Sequence, residues 1–146
     1  MELWELTARE GVRDTIARYN NAGDHGHLDE LAACFTADGV MHIKGRDPLV
    51  GRDAIVAALT VTLDERLGSR AVEGFHVHHH VASTCFLAVA PDLVEVASYF
   101  AVHTPVGLDH WGRYRDELVP SGEPWLFRRR RIATDGYAPG SLFAPR

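Results

Sequence analysis

The stretch Tyr19–Phe35, YNNAGDHGHLDELAACF, decides how the chain folds. It closes one apolar stripe of helical spacing, formed by Ala8, Val12, Ile16 and Tyr19. Gly23 predicts the end of that helix near Ala22–Gly23, because glycine readily adopts the left-handed conformation that follows a last helical turn. A second, shorter stripe begins at Leu28. Asp24 is therefore predicted to lie at the break between two helices.

The start of the first helix is predicted from Thr7 and Glu10. A threonine followed by a glutamate at this spacing is a capping box, in which each side chain satisfies a free backbone amide of the first turn. The sequence therefore predicts that the helix begins at Thr7.

A third helix and a short first strand come next. Gly51 precedes an apolar run of four-residue spacing, formed by Ile55, Leu59, Leu63 and Leu67, and Gly68 is its predicted end signal. Before that helix, Ala37–Gly39 is predicted to be a turn and Val40–Ile43 a strand.

The second half of the chain changes to a period of two, which predicts strands. The predicted strands cover residues 75–89, 93–103, 110–119 and 125–133, with an irregular tail from about residue 134. Helices followed by long antiparallel strands predict an α+β fold, in which three N-terminal helices pack on one face of a curved, mostly antiparallel sheet. We expect a single domain over residues 1–146, since this length suits one hydrophobic core.

Composition excludes several classes of function. The formal net charge of -5 gives no basic surface of the kind that binds nucleic acid, and no apolar run is long enough for a signal peptide or a membrane span. Cys34 and Cys85 lie in apolar patterns without CxxC spacing, which predicts buried free thiols in a reducing compartment. We therefore expect a cytoplasmic protein.

A histidine run opens the longest predicted strand, Phe75–Val89. Alternation places His79 on the apolar side with Val77, Val81 and Cys85, facing the helices. A carboxylate beside such an imidazole fixes its tautomer and stabilises the cation formed when it takes a proton. Asp24 is the predicted partner. The alternative is that Asp24 only caps the second helix and that His79 is a core histidine.

The other histidines of the run, His76, His78 and His80, alternate onto the opposite face. They could ligate a metal, but alternate strand residues lie roughly 7 Å apart, which is awkward for three ligands of one ion. We expect solvent-facing or interface histidines and no metal site.

Four consecutive arginines, Arg128–Arg131, lie in the last predicted strand. Regular alternation would place them in pairs on opposite faces, so we expect a solvated face paired with nearby acids such as Asp116 and Glu117. Steering of an anionic substrate is the alternative.

The order of these motifs resembles a known family. Asp at a helix break, LDELAACF, TADGV, VGRDAI, a histidine opening a long strand, GRYRDEL and WLFR together resemble the SnoaL-like branch of the nuclear-transport-factor-2-like fold, over roughly Leu6 to Ile132. The layout is similar to that of scytalone dehydratase and hexachlorocyclohexane dehydrochlorinase. The resemblance implies a cone-shaped half-barrel with an internal cavity, and no cofactor.

The resemblance also implies roles for individual residues. The catalytic carboxylate and imidazole of the family fall on Asp24 and His79. Positions that bind substrate in the family fall on Tyr19 and Arg130. The family's second pocket histidine falls at Thr104, and the neighbouring His103 is the residue expected to supply it. Gly23 and Ile43 occupy the places of two substrate-binding tyrosines of scytalone dehydratase, so scytalone itself is not the expected substrate.

These observations predict a cofactor-free lyase or isomerase, of dehydratase or cyclase type, acting on a small, mostly apolar and polycyclic or polyketide-like molecule. The alternatives are an epoxide-hydrolase-like enzyme, in which Asp24 activates water, and a non-catalytic binding or assembly module. We expect a small-molecule substrate, no nucleic acid or membrane partner, and a homodimer or homotrimer.

Overall fold

The structure is a computed structural model that describes residues 1–67 and 74–145. Three helices come first, α1 (Leu3–Asp24), α2 (Leu28–Ala33) and α3 (Arg52–Leu67). The strands are β1 (Phe35–Ile43), β2 (Leu49–Val50), β3 (His78–Val89), β4 (Val94–Thr104), β5 (Gly107–Pro120) and β6 (Trp125–Tyr137).

The strands form one curved, open sheet in the order β2-β1-β6-β5-β4-β3. All neighbouring pairs are antiparallel except β1 and β6, which run parallel. The helices pack against the inner face of this sheet. The predicted α+β fold, with three N-terminal helices on a mostly antiparallel sheet, is confirmed.

The core lies between α1 and the inner face of the sheet. The predicted stripe of α1 is buried throughout, with Val12 fully inaccessible and Ala8, Ile16 and Tyr19 nearly so. It packs with side chains of the sheet such as Phe35 and Phe127. None of the helices in the described part of the chain is long and apolar enough to cross a bilayer.

The bounds of α1 differ from the prediction at both ends. The helix begins at Leu3, and the Thr7 hydroxyl donates to the Leu3 carbonyl at 2.9 Å instead of capping. A threonine inside a helix commonly satisfies its hydroxyl in this way, so the capping-box interpretation was wrong. At the other end the helix includes Asp24, and Gly26 rather than Gly23 takes the left-handed conformation, with φ at 72°.

Several strands are longer than predicted. β1 begins at Phe35, and its predicted turn at Ala37–Gly39 is an irregularity within the strand, where the pairing with β6 shifts between Phe35 and Val40. β6 continues to Tyr137, so the irregular tail begins after residue 137 rather than at about 134. The predicted end of α3 at Gly68 lies outside the described residues.

A bulge in β3 reverses the inward and outward faces of that strand. Ser83 has a φ of 53°, and the pairing with β4 shifts between Ala82 and Cys85. A residue left unpaired in this way moves the following side chains to the other face. Cys85 is therefore exposed, and the prediction of two buried thiols holds only for Cys34.

A second bulge, in β6, changes the orientation of the arginine run. The pairing with β5 shifts between Glu117 and Leu118, so Arg128 and Arg129 are both exposed. Arg130 then faces inward and is fully buried. The prediction that these arginines face solvent is therefore correct for Arg128 and Arg129 and wrong for Arg130.

Candidate active site

The site is formed where the end of α1 meets the start of β3. Asp24 is the last residue of α1, and His79 is the second residue of β3. The Asp24 Oδ1 atom lies 2.5 Å from His79 Nδ1, and the backbone N–H of His79 donates to Asp24 Oδ2 at 3.0 Å. Both carboxylate oxygens are thus engaged by a single residue.

This geometry decides between the two interpretations of Asp24. The residue that precedes α2 is His27, and no side chain caps that helix. Because the Asp24 carboxylate accepts the Nδ1 proton of His79, the imidazole is held in the tautomer that leaves Nε2 unprotonated. An imidazole held in this way by a carboxylate can accept a proton at Nε2.

The pair lies between a solvent-facing depression and an interior cavity. The side chain of Asp24 is 12% exposed and that of His79 is 24% exposed. On the solvent side, a surface depression runs along α1 beside Asn20 and Asn21. Solvent protons can therefore reach the pair without crossing the core.

A cavity of about 200 Å³ lies on the inner side of His79. All three helices, the sheet and the tail contribute to its wall. Most of its lining is apolar: Leu28, Leu31, Leu59, Leu63, Val77, Phe100, Ile132 and Phe143. Its polar lining consists of Tyr19, Asn20, Thr62, His79, His110, Tyr114 and Thr134. An apolar cavity with a few convergent polar groups is the usual form of a small-molecule site.

Two phenols face this cavity. Tyr19 and Tyr114 are both buried, and burial raises the pKa of each hydroxyl above its ordinary value, although the nearby Arg130 opposes the shift. Both phenols therefore stay protonated near neutral pH and can donate a hydrogen bond. Tyr19, the predicted substrate-binding residue, lines this cavity.

Arg130 lies behind these tyrosines and does not line the cavity. Its guanidinium donates to both oxygens of Asp116, at 3.0 and 3.1 Å, and both side chains are fully buried. The guanidinium carbon lies 4.2 Å from the Tyr19 ring centre and 3.7 Å from that of Tyr114. The structure thus places Arg130 as the support of the tyrosine wall and not as a direct substrate contact.

His103 is not in the cavity. A shift in the pairing of β4 with β5 follows Val102, and His103 stands on the outer face beside His80, with ring centres 4.9 Å apart. The neighbouring Thr104 faces inward and donates to Asp109 at 3.1 Å. The expectation of a pocket histidine at position 103 was therefore wrong.

The second cavity histidine is His110, which the sequence did not indicate. It follows the fully buried Asp109, and its Nδ1 lies 2.8 Å from Asp109 Oδ1. The acid and histidine adjacent at positions 109 and 110 were a usable signal. The predicted strand began at residue 110 and the observed one begins at Gly107, so the alternation that buries Asp109 was missed.

Within residues 1–67 and 74–145, no group of three or more His, Cys, Asp or Glu side chains is arranged as ligands of a metal ion. His76 and His78 are exposed, with ring centres 4.9 Å apart.

Comparison with known proteins agrees with this architecture. A protein from Catenulispora acidiphila is 28% identical, with a TM-score of 0.75 over 88% of this chain and 91% of that one. A Novosphingobium aromaticivorans protein provisionally named a scytalone dehydratase is 23% identical, with a TM-score of 0.77 over 94% and 91% of the two chains. Aln2 from a Streptomyces species is 21% identical, with a TM-score of 0.75 over 88% and 91%.

The sequence itself matches none of the curated proteins. It does match the family model of the SnoaL-like domain over residues 4–131. That match covers most of the chain, and the fold is that of solved structures described as NTF2-like with a cystatin-like fold. The chain therefore belongs to the SnoaL-like domain family.

Proposed function

We propose that the protein is a cofactor-free lyase or isomerase, of dehydratase or cyclase type, that acts on a small, mostly apolar molecule. The observation that carries this proposal is the 2.5 Å contact between Asp24 and His79 at the wall of a largely apolar cavity. A related protein of the same fold, from Catenulispora acidiphila, has been solved in complex with S-DNPA, which supports ligand binding by this scaffold.

In the proposed reaction, His79 Nε2 takes a proton from a carbon next to an activating group of the substrate. The Asp24 carboxylate holds the ring through Nδ1 and stabilises the imidazolium that forms. The second bond, from the backbone N–H of His79 to Asp24 Oδ2, fixes the carboxylate relative to the strand. In a dehydration, the electron pair left on that carbon forms a C=C bond as the neighbouring C–O bond breaks, and the His79 imidazolium returns its proton to the departing hydroxyl, which leaves as water. In a cyclisation, the same electron pair forms a C–C bond to a carbonyl carbon of the substrate, and the carbonyl oxygen takes up the proton.

The negative charge that develops on the substrate needs donors. Tyr19 and Tyr114 line the cavity as neutral phenols, and the buried guanidinium of Arg130 lies within 4.2 Å of both ring centres. Fixed donors in a site of low polarity stabilise an oxyanion more strongly than water does. We propose that these two hydroxyls perform that role.

The size of the cavity restricts the substrate. A dry cavity of about 150 Å³ accepts benzene, and this one measures about 200 Å³. A molecule of one or two rings fits within it. A larger polycyclic or polyketide-like substrate would extend beyond this volume.

Two observations argue against the alternatives. Both oxygens of Asp24 accept hydrogen bonds from His79, so this carboxylate is poorly placed to activate water as a hydrolase would require. The cavity is not filled by side chains, whereas a pure assembly module has no need of such a space. The lyase or isomerase hypothesis is therefore the one that the geometry favours.

The direct test uses 2-tetralone, a two-ring ketone with acidic hydrogens beside its carbonyl. The protein should accelerate the incorporation of deuterium at that carbon in D₂O, measured by NMR. Asp24→Asn and His79→Gln should each reduce the rate by about 100-fold to 10,000-fold, the usual contribution of a positioned base. His76→Gln, an exposed substitution on the same segment, serves as the control and should leave the rate unchanged.

Equal rates in the wild type and both dyad variants would contradict the proposal. The hydrolase alternative is tested with a small aryl epoxide. Incorporation of labelled oxygen from water into its product, lost in Asp24→Asn, would indicate the hydrolase instead.

We also propose that the chain forms a homodimer or homotrimer in the cytoplasm. The outer face of the sheet bears a depression of about 660 Å³ lined by residues that include Tyr99, Arg113 and Arg131. Tyr99 is 61% exposed within this depression, so a second copy of the chain could cover its ring. Sedimentation at micromolar concentration should show an oligomer that Tyr99→Glu weakens. A monomer under these conditions would contradict the proposal.

A further inference from the structure

The cavity contains a second imidazole held by a carboxylate, and the proposed mechanism does not use it. Asp109 is fully buried, and four groups donate to it. Oδ1 accepts from Ser141 Oγ at 2.6 Å and from His110 Nδ1 at 2.8 Å. Oδ2 accepts from the backbone N–H of Leu142 at 2.8 Å and from Thr104 Oγ1 at 3.1 Å. All lone-pair directions of this carboxylate are therefore in use.

These bonds determine the charge of Asp109. Burial alone would raise the pKa of its carboxyl, but the hydrogen bonds from Ser141, Leu142, His110 and Thr104 together hold that pKa below its ordinary value. An ionised carboxylate has no proton to donate. The nitrogen of His110 that faces it must therefore carry the proton.

The tautomer of His110 follows. With the proton on Nδ1, the neutral ring presents an unprotonated Nε2 on its far side. Burial lowers the pKa of His110, which outweighs the opposing effect of Asp109, so the ring stays neutral at pH 7. Within the described residues no group donates to Nε2. The ring thus presents a hydrogen-bond acceptor without a protein partner.

His110 and His79 line the same cavity from different strands. The Phe100 ring, which also lines the cavity, neighbours both of them, with its centre 6.5 Å from that of His79 and 6.2 Å from that of His110. The Phe143 ring of the tail covers His110 at 5.3 Å. A guest resting on Phe100 would therefore contact both imidazoles.

We propose that His110 is the residue that binds a hydroxyl group of the substrate. The substrate class is then a one-ring or two-ring phenol or ring alcohol, whose O–H donates to His110 Nε2. The cavity offers neutral donors at Tyr19 and Tyr114, and His110 supplies an acceptor of fixed orientation. A hydroxyl on the guest satisfies that acceptor, whereas a hydrocarbon leaves it buried without a partner.

The orientation of the substrate rests on the proposed function, because the acidic carbon must face His79 while the hydroxyl faces His110. The binding preference does not rest on it. A cavity that binds phenols through His110 would do so even if 2-tetralone were not deuterated, so the two proposals fail separately.

The experiment compares p-cresol with p-xylene, which differ by a hydroxyl in place of a methyl group. Binding of each is measured by NMR titration of the wild type and of two matched variants. His110→Asn keeps a donor at the position of Nδ1, so it retains the bond to Asp109 and loses the acceptor. His110→Gln places an amide at the position of Nε2 and can keep the acceptor.

We expect His110→Asn to weaken p-cresol about tenfold, which is typical for the loss of one hydrogen bond from a buried group. Binding of p-xylene should change by less than about twofold by the same reasoning, which also shows that the cavity remains intact. His110→Gln should recover part of the affinity for p-cresol. Unchanged binding of p-cresol in His110→Asn, or an equal loss for both probes, would overturn the proposal.

A measurement on the wild type protects the test against variants that do not fold. The ¹⁵N chemical shift of His110 Nε2 reports directly on its protonation and hydrogen bonding. It should show an unprotonated nitrogen that moves when p-cresol is added and does not move with p-xylene. A proton on Nε2, or a response confined to His79, would refute the assignment.

Discussion

The cavity has two carboxylate and imidazole pairs, and the chain builds them in opposite ways. Asp24 and His79 are 55 positions apart, and each comes from a different element. Asp109 and His110 are neighbours in one strand. Among the described residues, His79 alone donates hydrogen bonds to Asp24, whereas four groups donate to Asp109.

This difference in hydrogen bonding indicates different roles for two pairs that consist of the same residue types. A carboxylate reserved for one imidazole can stabilise the cation that forms when that ring takes a proton. The Asp109 carboxylate also accepts hydrogen bonds from the tail and from Thr104, so it holds the His110 ring in a fixed orientation. Burial lowers the pKa of His110 and keeps that ring neutral. We infer that the first pair is suited to proton transfer and the second to holding a group in place.

The largest difference should appear in stability. Asp109→Asn replaces an oxygen that accepts hydrogen bonds by an amide that donates, so buried donors lose their partner. The free energy of unfolding should fall by about 3 kcal/mol or more. Asp24→Asn should cost less, because its site is partly exposed and only His79 is affected. Urea denaturation measures both.

A surface variant supplies the control for this comparison. Asp135 pairs with Arg113 at 3.3 Å, and both side chains are well exposed. Asp135→Asn should change stability by less than about 1 kcal/mol, as is usual for surface pairs. If Asp109→Asn lowered the free energy of unfolding no more than this control, the four hydrogen bonds to Asp109 would not contribute to stability as proposed.

A smaller effect is expected from the tail. Ser141 Oγ donates to Asp109 and also accepts the backbone N–H groups of Phe143 and Ala144, at 3.1 and 3.0 Å. Ser141→Ala should therefore lower stability by about 1 to 2 kcal/mol. Amide hydrogen exchange should become faster in the tail and at His110, and stay unchanged near Asp24. If Ser141→Ala changed the exchange rates equally in the tail, at His110 and near Asp24, the tail would not be coupled specifically to the pair of Asp109 and His110.

The smallest effect concerns pH. Burial lowers the pKa of folded His110 below the ordinary value, so the unfolded chain binds a proton there that the folded chain does not. This histidine therefore makes the free energy of unfolding decrease as the pH falls below about 6.5, the ordinary histidine pKa. In His110→Asn the decrease between pH 7 and pH 5.5 should be shallower. A steeper decrease in the variant would contradict the neutral ring.

The sequence was sufficient for the architecture and for the position of the first pair. Periodicity located the helices and strands, and the break after α1 together with the histidine run pointed to Asp24 and His79. These features could be predicted because they depend on neighbouring residues or on regular alternation along a strand. The resemblance to the SnoaL-like family added the expectation that the two residues meet.

The wrong predictions for Cys85 and Arg130 have a common physical cause. Bulges shift the alternation by one residue, and a bulge leaves almost no signal in a single sequence. Ser83 turned Cys85 outward, and the bulge before Arg130 turned that arginine inward. His110 was missed for a related reason, because its role depends on a tail whose contacts with Asp109 are more than 30 positions away in the chain.

The bulge at Ser83 also bears on how copies of the chain can associate. β3 is the outermost strand on its side of the sheet, and a regular strand in that place offers unpaired backbone groups to another molecule. Its pairing with β4 is interrupted twice, between Ala82 and Cys85 and between Phe86 and Ala88. A backbone interrupted in this way is a poor template for continuous strand addition. Open-ended growth of fibres through this edge is therefore disfavoured.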